Sequence, residues 1–302
     1  MEVSQNKRRR GFRFSLRALL VLTALAGLLL GWIVNQRAQS QRELQIAQEL
    51  GQRAYIRLSN PFVEFQRPSS NQSWLHRQLG SLLGPIVREA RIIDPTADEL
   101  AKIAELKRLY LFEMSKSQLS LAPLSDIQTL KDLRLHRVRQ LDLAPIANFK
   151  QLHSLEIRFT PVVDLRVLSQ LPKLSSIWLA DTQFKDFTQF SNFRALKGLY
   201  VLEPYDSLDQ HPANIPDVSP LATLKNLQGL GITINAATDL RPFGRLVNLR
   251  GLFLDCEDSS QVSDDKVLQL QAALPNCEIT VGQMHGSRSQ HKTFKARTPR
   301  TP

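Results

Sequence analysis

Two cysteines in 302 residues cannot make a disulfide framework. The six histidines (His76, His136, His153, His211, His285 and His291) are scattered, and neither His-x-x-x-His nor Cys-x-x-Cys spacing occurs, so the sequence signals no metal site. The 13 glycines never gather into a phosphate-cradling loop, a Gly-x-Ser-x-Gly elbow or a dinucleotide fingerprint. These absences remove the common catalytic constellations, so the chain is expected to be no enzyme and to need no cofactor. A nucleic-acid partner is not expected either. The formal charge of +11 is lodged at the two ends, +5 in residues 1–17 and +5 in residues 285–302, which leaves +1 for residues 18–284 and no excess from which to infer a basic face on a folded domain.

Charge is also missing from Ala18 to Val34, 17 residues of Ala, Leu, Val, Ile, Gly, Thr and Trp. As a helix this stretch rises about 26 Å, the lower end of what spans a bilayer. Six basic residues precede it, Lys7, Arg8, Arg9, Arg10, Arg13 and Arg17, and only Arg37 and Arg42 follow before Glu43. The positive-inside rule therefore predicts residues 1–17 in the cytoplasm, a transmembrane signal anchor over 18–34, and the rest outside the cytoplasmic membrane. A cleaved signal peptide is the alternative, but its small-x-small site would be Ala24-Leu25-Ala26, inside the apolar run. Gly27-x-x-x-Gly31 admits close helix–helix approach and a homodimer, against the plain alternative that small residues are common in membrane helices.

What the chain has is a hydrophobic phrase repeated every 22 residues. Leu-x-x-Leu-x-Leu or a close variant stands at Leu130/Leu133/Leu135, Leu152/Leu155/Ile157, Leu174/Ile177/Leu179 and Leu196/Leu199/Val201. It resumes at Leu227/Leu230/Ile232 and Leu249/Leu252/Leu254, with flanking copies read at Leu106/Leu109/Leu111 and Leu274/Cys277/Ile279. Each copy ends in the alternation of a short half-buried strand. Each begins with apolar residues three apart, as in Leu165/Leu168/Leu171/Leu174, which suits a 3₁₀ turn. Asp142, Asp164, Asp186, Asp217 and Asp239 recur one residue before these runs, where a carboxylate caps free N–H groups. One such unit cannot bury its apolar face alone, so the repeats must stack into a solenoid with a parallel concave sheet.

This pattern resembles the leucine-rich repeat family, in particular the bacterial 22-residue class typified by the internalins. The resemblance covers roughly 106–279 and includes the phrases Leu121-Ala122-Pro123-Leu124, Leu143-Ala144-Pro145-Ile146 and Val218-Ser219-Pro220-Leu221. Thr160, Thr182 and Asn235 stand where the family places a turn-bonding Asn or Thr; Met114, Val138, Pro204 and Glu257 do not fit, so that ladder is expected to be broken. The resemblance implies an α/β solenoid that binds a protein partner through its concave face. The sequence lacks the Leu-Pro-x-Thr-Gly wall-sorting signal, so host-cell adhesion is not carried over.

The expected organisation is a basic N-terminus (1–17), anchor (18–34), stalk helix and linker (35–73), N-terminal cap and first strand (74–105), repeat domain (106–282) and basic tail (283–302). The stalk is read as an amphipathic helix over 36–58, ending near Gly51. Alternate strand positions face the concave side. They give a candidate ligand face of Arg108, Tyr110, Arg134, Glu156, Arg158, Trp178, Tyr200 and Phe253, with Trp178 and Tyr200 as neighbours. Aromatics and arginine dominate protein interfaces, and exposed aromatics equally stack on sugars, so a glycan or cell-wall ligand, or an envelope scaffold, stands as the alternative. The plain reading is that strands favour aromatics anyway. Residues 203–217 insert about nine residues, either as a functional loop or as neutral drift. Cys277 is read as a core residue beside Leu252, which sets Cys256 four strand positions away, beyond disulfide reach.

Overall fold

The computed structural model describes residues 16–59, 83–118, 120–203, 217–283 and 291–294. The basic N-terminal cluster, the apolar cap stretch from Trp74 to Leu82, the insertion from Pro204 to Pro216 and most of the basic tail lie outside the described residues. The chain divides into two compact units, Met1–Gln45 with Ser59–Ile86, and Ile46–Leu58 with Val87–Pro302.

In the first unit the main described element is helix α1. This helix runs unbroken over Leu16–Leu50 and extends into the second unit. Its apolar window has a mean hydropathy of 1.9 and none of that window is buried. Among the described residues it is the one helix long and apolar enough to cross a membrane, a test that a signal sequence also passes. Further along, Ser40 is buried and its hydroxyl donates to the Pro85 carbonyl. Gly84, at φ +78°, permits this approach, since a Cβ there would lie 2.6 Å from Ser40 Oγ.

The second unit is built on one 11-stranded sheet whose strand order follows the sequence. The strands are β1 (Ala54–Ser59), β2 (Ile86–Ile93), β3 (Leu111–Ser115), β4 (Asp132–His136), β5 (Ser154–Arg158), β6 (Ser176–Ala180), β7 (Gly198–Leu202), β8 (Gly229–Thr233), β9 (Gly251–Asp255), β10 (Glu278–Gly282) and β11 (Lys292–Phe294). From β2 to β10 every pairing is parallel, and β11 closes antiparallel on β10. The expected solenoid is therefore the observed one. Its layers repeat: strand, turn, then a 3₁₀ segment such as Ala144–Asn148, Arg166–Gln170 or Ser219–Thr223. The leucines of both halves share one core, in which Leu133, Leu155, Ile177, Leu199 and Leu252 are at most 2% exposed. Full burial of such side chains stabilises by about 1.5–3 kcal/mol each. In the fourth layer phenylalanines replace leucines, and Phe184, Phe187, Phe190 and Phe193 pack with ring centroids 5.4–6.1 Å apart.

The turns are held as their composition suggests. Asp142, Asp164, Asp186, Asp217 and Asp239 each accept a backbone N–H two residues on, at 2.9–3.2 Å. Thr160 Oγ1 accepts from Val138 N at 3.0 Å and donates to Arg158 O, tying one repeat to the previous one. Where Pro204 breaks that ladder, the Glu203 carboxylate accepts from Thr182 N, Thr182 Oγ1 and Gln183 N instead, at 2.8–3.1 Å. Burial pushes the Glu203 pKa up, and these hydrogen bonds only partly oppose it. Lys116, Arg137, Phe159 and Asp181, each directly after a strand, all take left-handed φ of 51–55°. Non-glycine residues resist this conformation, so the turn stores strain in repeat after repeat.

The structure corrects three expectations. The register pairs Phe112 with Leu133 and Met114 with Leu135, so the first copy is Leu109/Phe112/Met114 and not Leu106/Leu109/Leu111. The reason is that Phe112 and Met114 fill core sites, both fully buried, while Leu106 closes the turn after helix α2 (Ala97–Ala104). Residues 54–58 form strand β1 rather than the end of the stalk, because α1 stops at Leu50 and Gly51 takes φ +52°. At the other end Ile279, not Cys277, lies beside Leu252. Both cysteines are buried and free. Their separation along the strands is larger than expected, since Cys277 precedes β10 and Cys256 follows β9.

Candidate functional site

The middle position of each strand forms a continuous row across the concave sheet. From β2 to β5 it reads Arg91, Glu113, Arg134, Glu156, an alternation of sign in lateral register. From β6 to β9 it reads Trp178, Tyr200, Gly231, Phe253. The charged half is an ion-pair network. Glu89, 2% exposed at its side chain, is held by Arg91 at 2.5 Å and Arg57 at 3.5 Å. Arg91 also reaches Glu113 at 3.5 Å, and His136 lies 3.7 Å from Glu113 and 3.2 Å from Glu156. Glu156 is the hub: Arg158 approaches to 2.5 Å and Arg134 to 3.6 Å, while Arg134 also meets Asp132 at 3.3 Å. Burial pushes the Glu156 pKa up, but the His136 hydrogen bond and the fields of Arg158, Arg134 and His136 together hold it below its ordinary value. Asp132 goes the other way: burial raises it, and Arg134 offsets this only in part.

The network ends in a stack. The Arg158 guanidinium carbon lies 5.2 Å from the Trp178 ring centroid, and Trp178 and Tyr200 stack at 4.5 Å with planes 19° apart. That ring spacing matches the spacing of neighbouring strands, about 4.8 Å, so the sheet itself sets the stack. Tyr200 leans over β8, where a Cβ on Gly231 would lie 2.5 Å from Tyr200 Cδ1 and one on Gly229 3.0 Å from its hydroxyl. Only glycine at 231 leaves room for the ring. The Trp178 Nε1 is screened from solvent and has no hydrogen-bond partner among the described residues.

Of the eight residues expected from the sequence, the structure brings five together: Arg134, Glu156, Arg158, Trp178 and Tyr200. Phe253 lies in the same row two strands beyond Tyr200, and its ring meets His291 edge-on at 5.9 Å. Arg108 and Tyr110 do not join the row. They precede β3, and Tyr110 instead has the Lys131 ammonium 5.2 Å from its ring centroid. Glu113 takes the place expected for Tyr110, for the register reason given above. Arg91, Glu89 and Arg57 were missed altogether; the signal for the first two was the alternation in Val87-Arg88-Glu89-Ala90-Arg91-Ile92, which reads as one more strand. Among the described residues no three of His, Cys, Asp and Glu come together in a way that would hold a metal ion.

No family model matches the chain, and no curated protein matches it. Solved structures do. An internalin, inlF, of Listeria monocytogenes is 18% identical with a TM-score of 0.47, over 63% of this chain and 53% of that one. An internalin C2, inlC2, of the same organism is 20% identical with a TM-score of 0.47, over 65% and 80%. A leucine-rich repeat protein of Leptospira interrogans is 18% identical with a TM-score of 0.39, over 59% and 50%. The chain thus spans about half the length of the first and third of these. The assignment rests on the chain itself: a 22-residue period, 3₁₀ turns capped by aspartate, and a parallel sheet in unbroken lateral register. The repeat domain is a leucine-rich repeat solenoid, similar in fold to the internalins.

Proposed function

We propose that the protein is a membrane-anchored, non-enzymatic recognition module that binds a protein partner through the concave sheet, with Arg158, Trp178 and Tyr200 as its anchor and Arg134 and Glu156 beside them. The observation that carries this reading is the Arg158–Trp178–Tyr200 stack, which sets half-buried aromatic area beside a guanidinium on the concave sheet. A sugar ligand on these aromatics has less support. Trp178 has Arg158 over one face and Tyr200 over the other, so neither face is open for a sugar ring. The test is photo-crosslinking from Ser176, part-exposed on the same strand as Trp178, in native membranes, in the parent chain and in a Trp178→Ala/Tyr200→Ala variant. Hot-spot truncations of this type cost about 2 kcal/mol or more, roughly thirtyfold in affinity. Undiminished crosslinking to the same partner in the double variant would sink the concave reading.

The proposed topology puts residues 1–17 in the cytoplasm and the repeats outside, from the basic cluster before the apolar helix. Protease treatment of intact spheroplasts should remove the repeats and spare the N-terminus; a clipped N-terminus with protected repeats reverses the orientation. The membrane helix also offers Gly27 and Gly31 as a dimer contact, with nothing within 4 Å of a Cβ at either position. Loss of a crosslinked dimer in Gly27→Leu/Gly31→Leu is the expected result.

A further inference from the structure

We propose that the edge of the solenoid at which the strands begin is a second binding surface, shaped for a linear anionic polysaccharide. Three positions in each repeat build it: the two residues before the strand-opening leucine and the one after. Over the seven layers opened by Leu109, Leu130, Leu152, Leu174, Leu196, Leu227 and Leu249, nine of these 21 positions are Lys or Arg and none is Asp or Glu. The first column holds Lys107, Lys150, Arg194 and Lys225, the second Arg108 and Lys173, the third Lys131, Lys197 and Arg250. Residues 18–284 carry only +1 in all, so the strip is a local concentration of charge. The turn-capping aspartates follow the strands, and two of them, Asp164 and Asp239, are paired there with Arg166 and Arg241.

The backbone fixes the columns. In the third, His153 N donates to Lys131 O, Ser175 N to His153 O, Lys197 N to Ser175 O, Gln228 N to Lys197 O and Arg250 N to Gln228 O, at 2.7–2.9 Å. These positions therefore follow one another at the strand spacing of about 4.8 Å. Side chains of the second column lock the first: Thr129 Oγ1 donates to Lys107 O, Asn226 Nδ2 to Arg194 O and Asn248 Nδ2 to Lys225 O, at 2.8–2.9 Å.

Two observations point to a ligand. The arginines of the concave network each lie on a carboxylate, whereas among the described residues Lys197, Lys225 and Arg250 are exposed and have no ion-pair partner, the Lys225 ammonium donating only to the Arg245 carbonyl at 3.2 Å. Rows of like charge repel one another and draw in counter-charge, which favours a polyanion. In addition, an open groove of about 510 Å³ runs between layers here, lined by Ala195, Lys197, Asn226, Gln228, Asn248 and Arg250. Amide side chains donate and accept at once, as hydroxyl-bearing sugars require, while the cations meet carboxylate or phosphate groups. The groove has no aromatic side chain for base stacking, the usual means of holding single-stranded nucleic acid.

The test uses the full chain in phosphatidylcholine nanodiscs, with polygalacturonate as the probe and neutral dextran, an oligothymidylate of matched charge and phosphatidylglycerol vesicles as comparisons. Polygalacturonate should bind at about 0.1 M salt and weaken as salt rises, since exposed charges are screened within roughly 10 Å. A Lys197→Glu/Lys225→Glu/Arg250→Glu variant with an unchanged circular dichroism spectrum should bind at least about tenfold more weakly, a difference of roughly 1.4 kcal/mol. Trp178→Ala/Tyr200→Ala should bind as the parent does. Absent polygalacturonate binding, or equal binding by the charge-reversed variant, overturns the proposal. So does loss of binding on deletion of residues 285–302 alone, or stronger strip-dependent binding to the oligonucleotide or the vesicles.

Discussion

The two halves of the concave sheet share one backbone and one register, yet they are satisfied in opposite ways. From β2 to β5 each charge has a partner on its own or a neighbouring strand, and Glu89, Glu113, Asp132 and Glu156 are matched by Arg57, Arg91, Arg134 and Arg158. From β6 to β9 there are two stacked rings, an unpaired indole donor and a floor of glycine. A paired network rigidifies a surface and leaves little for a partner to gain; a half-buried aromatic surface leaves apolar area still to be covered. The difference locates the proposed contact at the boundary, where Arg158 belongs to both halves.

The comparison is broken most severely at Glu156. Replacement by Ala strands Arg158 and leaves Arg134 and His136 with one carboxylate each, Asp132 and Glu113, and removing one partner from a part-buried pair costs about 3 kcal/mol. Denaturant unfolding of the full chain in detergent should show that loss, and hydrogen exchange should place it in β4 and β5. The same site gives a pH signature. The folded-state pKa of Glu156 lies below its unfolded value, so its contribution is complete above the unfolded value of about 4.5 and disappears as pH falls through the folded one. Glu156→Gln should therefore flatten the acid limb of the stability curve; an unchanged limb would show that the hub is electrostatically idle.

Gly231→Val attacks the other half. Its Cβ would overlap the Tyr200 ring, and overpacking of this type costs about 1–3 kcal/mol. Near-ultraviolet circular dichroism should record the separation of Tyr200 from Trp178. Gly251→Ala is the control, since nothing lies within 4 Å of a Cβ there, and no change is expected. A Gly231 variant that melts and stacks like the parent would mean that Tyr200 has room elsewhere. Smallest of the three is Thr160→Val, which takes the acceptor from the buried Val138 N–H; about 1 kcal/mol should be lost, with faster exchange of that amide.

The parts of the molecule legible in the sequence are those set by spacing. The period, the aspartate caps, the interrupted threonine ladder and the pairing of Trp178 with Tyr200 all follow from counting, because stacked layers place equivalent positions side by side. Glu203 shows the limit: a glutamate before Pro204 reads as part of an insertion, and only the fold reveals that its carboxylate replaces the missing turn residue of the next layer. Helix α2 was equally available and overlooked. Thr96 and Glu99 form a capping box, with Glu99 N bonded to Thr96 Oγ1 at 3.2 Å and Thr96 N to Glu99 Oε2 at 2.8 Å.

By itself the sequence determined that this protein is a solenoid, where its layers repeat, and that one apolar helix precedes them, since apolar periodicity dictates which faces must be buried. Tertiary structure alone decided which frame the first and last layers adopt, because Leu106-x-x-Leu109-x-Leu111 and Leu109-x-x-Phe112-x-Met114 satisfy the pattern equally and only core packing distinguishes them. It also decided how the charges are apportioned. A total of +1 across 18–284 describes a neutral domain. Folding sorts those same side chains into an ion-paired concave network and a cationic edge, because lateral register sets which residues become neighbours.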